Sequence, residues 1–257
     1  MRLNSIQGYD KRIYFLLKFG RNPQHLESIR SGSIYMDRFR TYVEQEKRER
    51  KKGQGDSLEA SLYLNVLSGQ IFHEDTNELV ATLGKSKLVL TPAGFLDRSV
   101  FCTMAVDASM LEILNDYDDH YEVEVIFSDE QKKDLPKVFG DHVISIEFTP
   151  FLNRFRDWFK KLETPLIAGL VNYEDFSINT TTRMRLFQKL DPHLFLLKSD
   201  EISYQNEYRI VPYSLTINEP MTISLGEMTN ITSKVLDSSE FLNGTIKFKV
   251  AKLMFSA

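Results

Sequence analysis

Between residues 61 and 148 six segments, SLYLNVLS, ELVATLG, KLVLTPA, SVFCTMAV, YEVEVIF and HVISIEF, carry β-branched or alternating apolar residues between turn signals. Only SMLEILNDY (109–117) breaks the series with a predicted helix, because Met110, Leu111 and Leu114 share a helical face. Strands that follow one another without regularly interleaved helices argue against a doubly wound parallel sheet. No GxGxxG or GxxxxGK[ST] is present, so neither a dinucleotide-binding Rossmann unit nor a P-loop is supported. The predicted class is α+β, with mainly antiparallel sheets and a few peripheral helices.

The flanks fit this class. RIYFLLKFG (12–20) reads as a buried strand ending at Gly20. Asn22 is an N-cap residue, Pro23 suits the first helical position, and Gly32 is a helix stop. SIYM (33–36) follows as a short strand, 37–52 as a helix ending in charge, and GQGDS (53–57) as a loop. PFLNRFRDWFKKLE (150–163) repeats its apolar residues at helical spacing. LIAGLVNY is a predicted strand, whereas RLFQKLDPHLFLLKS stays undecided because Pro192 interrupts it. YQNEYRIVPY, MTISLG, ITSKVLD and TIKFKVAKLMF read as strands joined by tight turns. No linker or repeat divides the chain, so 1–257 is read as a single domain, with 215–257 as a C-terminal β-rich extension.

The chain has 257 residues, 42% of them hydrophobic, enough to bury a substantial core. The lone Cys102 excludes an intramolecular disulfide and a multi-cysteine zinc site, and it suits a reducing compartment. No apolar run reaches the roughly 20 residues of a membrane span, and MRLNSIQGYDKR lacks the apolar core of a signal peptide. The expectation is a cytoplasmic protein with no membrane partner. Net charge is −4, but residues 38–52 hold seven Lys/Arg against three Glu, a local +4 that leaves −8 for the remainder. This segment is either a solvated helix face or a basic arm that attracts an anionic ligand or partner.

Candidate chemistry is sparse. The five His are scattered, and DYDDHYEVE (116–124) lacks the spacing of a calcium loop, so it reads as an exposed acidic turn. Cys102 lies in an apolar strand-like run and reads as a buried, inert thiol. No GxSxG elbow occurs. The segment SYQNEYRIVPY (203–213) is more informative. As a strand it puts Gln205, Glu207 and Arg209 on one face, with steps of roughly 6.5–7 Å. A solvent-facing version is a same-strand ion pair of little energetic value. A cleft-facing version offers Glu207 to a ribose hydroxyl and to an oxocarbenium-like transition state.

Two resemblances bear on this choice. SGSIYMDRFRTY (31–42), GDSLEAS (55–61), VFCTMA (100–105) and KSDEISYQNEYRIV (198–211) resemble, in order, the segments of an uncharacterised family of bacterial and phage proteins. Ile202 and Gln205 depart from that pattern, where an aromatic and an acidic residue are usual. Separately, LLKFGRNPQHLESIRSGSIYM together with Gln205-Asn206-Glu207 resembles the ADP-ribosyltransferase fold, a split β-sandwich. That resemblance implies NAD as a substrate held in a cleft between sheets. It implies Glu207 and Gln205 as catalytic residues, Glu207 orienting the ribose and Gln205 contacting the acceptor. Lys18, Arg21 or Arg40 would neutralise the phosphates. Lys18 or Arg21 stands where the fold expects a histidine or arginine motif. Tyr35, Tyr42 and Tyr63 are candidates for the middle aromatic. Asp56, Glu59 and Arg209 are further candidates for the cleft, with the alternative that Asp56 caps its own loop.

The function implied is transfer of ADP-ribose from NAD to a protein, a nucleic acid or water. On that reading Glu207→Gln abolishes turnover and leaves the melting temperature nearly unchanged. A non-enzymatic binder of a nucleotide signal or a host protein, in phage defence or counter-defence, is the competing class. A metal-dependent nuclease using Asp56, Glu59 and Glu207 is the third.

Overall fold

The computed structural model describes residues 1–49, 53 and 55–253. Among these, six strands of the main sheet run in the order Ile167–Leu170, Glu207–Val211, Ser99–Asp107, Ile13–Gly20, His142–Glu147 and Leu236–Asp237, every pairing antiparallel. Two more complete it off this path. Ser33–Arg38 pairs with the start of Ser99–Asp107 and with Met221–Ser224. The α+β class and the antiparallel pairing therefore hold, in a layout like a split β-sandwich.

The split has a simple origin in register. Ile13–Gly20 pairs with the central strand only up to Leu17, opposite Met104. Its last residues, from Lys18, pair on the other side alone, with His142–Glu147. Ser33–Arg38 meets the same central strand only at Ser99 and Val100. Residues 101–103 are thus left between two strands that diverge, and a cleft opens over them.

Each face of the sheet has its own core, because successive side chains on a strand point to opposite faces. Leu16 packs with Phe101, Ile144 and Tyr208 beneath the helix Phe148–Lys160, which supplies Phe151, Phe155 and Phe159. Leu17 packs the other way, with Val106, Val123 and Leu135. That second core is closed by the sheet Leu111–Asp116, His120–Val125, Lys247–Ala251 and by the helix Asp129–Phe139.

One expected helix is overturned, one undecided segment resolves, and ITSKVLD is strand only at Leu236–Asp237. SMLEILNDY is not a helix: a 3-10 turn over Ala108–Met110 leads into the strand Leu111–Asp116, which pairs with His120–Val125. Leu111 and Ile113 are in-register partners of Val125 and Val123, and that cross-strand pairing overrides the helical spacing of Met110, Leu111 and Leu114. The undecided segment resolves into a helix Thr181–Gln188, a 3-10 turn Pro192–Leu196 and a strand Leu197–Ser199. That strand pairs in parallel with Asn172–Glu174. Residues 215–253 supply strands to both sheets and the helix Ser238–Asn243, so they are woven into the body. Residues 62–90 form a two-tier β-ribbon whose outer tier, Gly69–Phe72 with Leu79–Leu83, is largely exposed. Among the described residues no helix is long and apolar enough to cross a membrane.

The first helix, Pro23–Arg30, is capped as its sequence indicates: Asn22 Oδ1 accepts from the Gln24 amide at 2.9 Å. The chain then turns at Gly32, whose φ of 92° suits glycine, and passes against Gly226. A Cβ at Gly32 meets the Gly226 carbonyl oxygen at 2.0 Å, backbone that has no rotamer to retreat into. Gly32→Ala is therefore expected to cost about 3 kcal/mol, strain and overlap combined, measured as a fall in the urea midpoint at unchanged slope.

Candidate functional site

The cleft has a volume of about 680 Å³. Its walls come from Ile13–Gly20, the first helix, Ser33–Arg38 and the helix Phe39–Glu49, and its floor from the central strand and Glu207–Val211. The late strand begins at Glu207. Residues Asp200–Gln205 form a 3-10 helix, and Asn206 takes a left-handed conformation at φ 39°, ψ 52°. The Asn206 amide is tied to the Ala105 carbonyl at 2.9 Å and to Asp107 Oδ2 at 3.0 Å. Gln205, Glu207 and Arg209 nevertheless converge on the cleft.

The face that carries them is buried, not solvated. Arg209 Nε donates to Glu207 Oε1 at 2.7 Å, and its two terminal nitrogens clasp Glu59 at 2.6 and 2.8 Å. Lys198 Nζ donates to Glu207 Oε2 at 2.8 Å and to Gln205 Oε1 at 3.3 Å, and lies 3.7 Å from Glu59 Oε1. Gln205 Nε2 donates to the Gly53 carbonyl at 2.8 Å. Glu207's own amide donates to the Tyr173 hydroxyl at 3.0 Å. Two carboxylates and two cations thus form a closed, charge-neutral network of almost wholly buried side chains. Arg209 also lies over the Phe39 ring, with 5.4 Å to the centroid.

The network sets the ionisation of its members. Burial opposes the charge on Glu207, but Arg209 and Lys198 overcome it and hold the carboxyl well below the usual range. Burial pushes Glu59 up, to about 6, against the pull of the same two cations. Burial lowers Lys18, which forms no ion pair among the described residues. Its ammonium donates to the Cys102 carbonyl at 2.7 Å and lies 4.8 Å from the Phe101 ring centroid. Burial raises the Cys102 thiol far above its ordinary value, although the residue lines the cleft.

Of the residues singled out in the sequence, Lys18, Arg21, Tyr35, Tyr42, Glu59, Gln205, Glu207 and Arg209 all line this cleft. Arg40 does not. Asp97 takes its Nε at 2.8 Å and a terminal nitrogen at 2.9 Å, which commits the guanidinium elsewhere. Asp56 is also outside, accepting from the Leu58 amide at 2.9 Å as a loop cap. Tyr63 stacks on Phe176 at the base of the β-ribbon. Residues 50–52 of the basic segment lie outside the described residues. Of the three carboxylates of a nuclease site, Glu59 and Glu207 meet only through Arg209 and Lys198, and Asp56 stays in its loop; among the described residues no three His, Cys, Asp or Glu side chains are placed to hold a metal.

The member that sequence reasoning missed is Lys198. It sits in the segment left undecided, and its strand is three residues long. Its spacing of nine from Glu207 falls on no single element, so periodicity gives no signal for it.

No family model matches the chain, and neither curated proteins nor solved structures include a match to it.

The buried network corrects the expectation that Glu207→Gln leaves stability unchanged. Removing one charge leaves the buried Lys198 without its closest counter-ion, at a cost of about 3–5 kcal/mol. Glu207→Gln/Lys198→Met, which removes one charge of each sign, is expected to recover most of that loss in urea unfolding.

Proposed function

We propose that the cleft binds a dinucleotide of the NAD class and that Glu207 promotes cleavage of the nicotinamide–ribose bond. The observation that carries this reading is a buried carboxylate, flanked by Arg209 and Lys198, on a 680 Å³ cleft that is also lined by Lys18, a lysine with no ion pair among the described residues. In such a reaction the glycosidic bond breaks, the electron pair leaves with nicotinamide, and positive charge develops on the ribose. A carboxylate that stays ionised stabilises that charge electrostatically and accepts a hydrogen bond from a ribose hydroxyl. Lys18 and Arg21 serve the phosphates. The acceptor is a protein, a nucleic acid or water. The resemblance of Gln205-Asn206-Glu207 to the ADP-ribosyltransferase motif supports the same reading.

A second reading, a non-enzymatic binder of a nucleotide signal or host protein, is favoured by one specific feature. Both oxygens of Glu207 already accept hydrogen bonds from Lys198 and Arg209.

The two separate in one experiment on purified protein and NAD labelled in the adenylate, with and without cell lysate. Label transfer or nicotinamide release is expected from the wild type and absent from Glu207→Gln/Lys198→Met. Lys18→Met, outside the network, is expected to weaken NAD binding about tenfold, the loss of one charge-assisted contact. Binding that depends on Lys18 without any turnover would select the binder. Absence of both would sink the nucleotide reading.

A further inference from the structure

Lys198 belongs to neither resemblance's functional set, yet it is the group that touches both halves of the Gln205/Glu207 pair. Its position is fixed from behind. The strand Leu197–Ser199 is held by its parallel partner Asn172–Glu174, and Tyr173 of that partner receives the Glu207 amide. Lys198 is almost wholly buried, and its ammonium is committed to Glu207 and Gln205, with Glu59 beyond. It donates to Oε2 of Glu207 at 2.8 Å, where Arg209 offers only a longer contact of 3.4 Å from a terminal nitrogen, while Arg209 Nε holds Oε1 at 2.7 Å; together the two cations fix the rotation of the carboxylate. It donates to Gln205 Oε1, which leaves Nε2 of that amide to the Gly53 carbonyl and fixes its flip.

We infer that Lys198 is the positioning residue of this site, setting the orientation of the Glu207 carboxylate and of the Gln205 amide through direct hydrogen bonds to both. The inference deepens the proposed function and rests on it for the catalytic consequence; the positioning itself is independent of turnover. Lys198 touches no reacting atom in this scheme. It acts through Glu207, by geometry and by favouring the ionised form.

The charged and titratable groups facing Glu207 are Arg209 on its own strand, Lys198, Glu59, Cys102, Lys18, Tyr42 and Tyr173. Arg209 divides its guanidinium between Glu207 and Glu59, whereas Lys198 lies nearer to Glu207, at 2.8 Å, than to Glu59, at 3.7 Å. Loss of Lys198 leaves Glu207 sharing one cation with a second carboxylate. The stability that Glu207 confers is present above its unfolded value of about 4.3 and is lost as pH falls through the lower folded value. Without Lys198 the folded value rises, and that contribution shrinks and disappears at higher pH.

The test titrates the side-chain carboxyl of Glu207 by carbon NMR in protein carrying labelled glutamate, beside the pH profile of NAD turnover. In the wild type the Glu207 signal is expected to stay ionised down to the onset of acid unfolding. In Lys198→Met its midpoint is expected to rise by about one to three pH units, and the acid limb of turnover to rise with it. Lys198→Arg is expected to restore both. Should Lys198→Met not fold, Glu59→Gln against Glu59→Gln/Lys198→Met gives the same comparison, the network of the double variant being charge-neutral. A Glu207 midpoint that does not move overturns the inference, as does a uniform loss of rate with an unshifted acid limb. A wild type that turns over no NAD sinks the enzyme reading alone, because the carboxyl titration still decides the role of Lys198.

Discussion

Everything in this molecule is arranged around four buried charges that cannot be left unmatched. Glu59, Lys198, Glu207 and Arg209 come from a loop, a three-residue strand and the late strand of the main sheet. Each would pay several kcal/mol for desolvation alone. Together they cancel, and their geometry supplies hydrogen bonds that the sheet does not. The network therefore acts as a joint. It ties the loop that carries Glu59 to the floor of the cleft, and Gln205 adds a second tie to Gly53. A neutral joint is stabilising only while complete, which makes the site and the fold inseparable at this point.

The same cancellation shapes the chemistry open to the cleft. With the floor neutral, Lys18 and Arg21 are the cleft-lining cations without an ion pair among the described residues, and Lys18 faces the cleft from the strand that diverges from its neighbour. Divergence of Ile13–Gly20 from the central strand is what makes room, so the space and the charge come from the same few residues.

Much of this was legible in the sequence, and the exceptions are instructive. The opening strand, the Asn22 cap and the long helix with Phe151, Phe155 and Phe159 follow from local rules whose signals lie within a few residues. Gln205, Glu207 and Arg209 were legible as one face, although the left-handed Asn206 starts the strand later than alternation suggests. The helix expected at 109–117 failed because short apolar runs fit both periods, and only pairing with 120–125 decides between them. The helix Asp129–Phe139 had an available sign, the Ser128/Gln131 capping box, which went unused. Arg40 could not be separated from the other arginines without its distant partner Asp97. Lys198 opens the segment KSDEISYQNEYRIV, but its role was not legible for the same reason: its partners are brought to it by the chain path, not by spacing.

The order in which the strands pair carries a consequence for how the chain comes to be folded at all. The opening strand is sandwiched between residues 104–107 and 142–147, and Ser33–Arg38 waits for Met221–Ser224. Such long loops must close before any of these ladders is rewarded, so the topology is a slow one. A chain emerging from the ribosome at its amino end holds apolar strands with no partner yet made, and the four charges meet only once Arg209 has been synthesised. The charge joint therefore cannot be completed until most of the chain has been made.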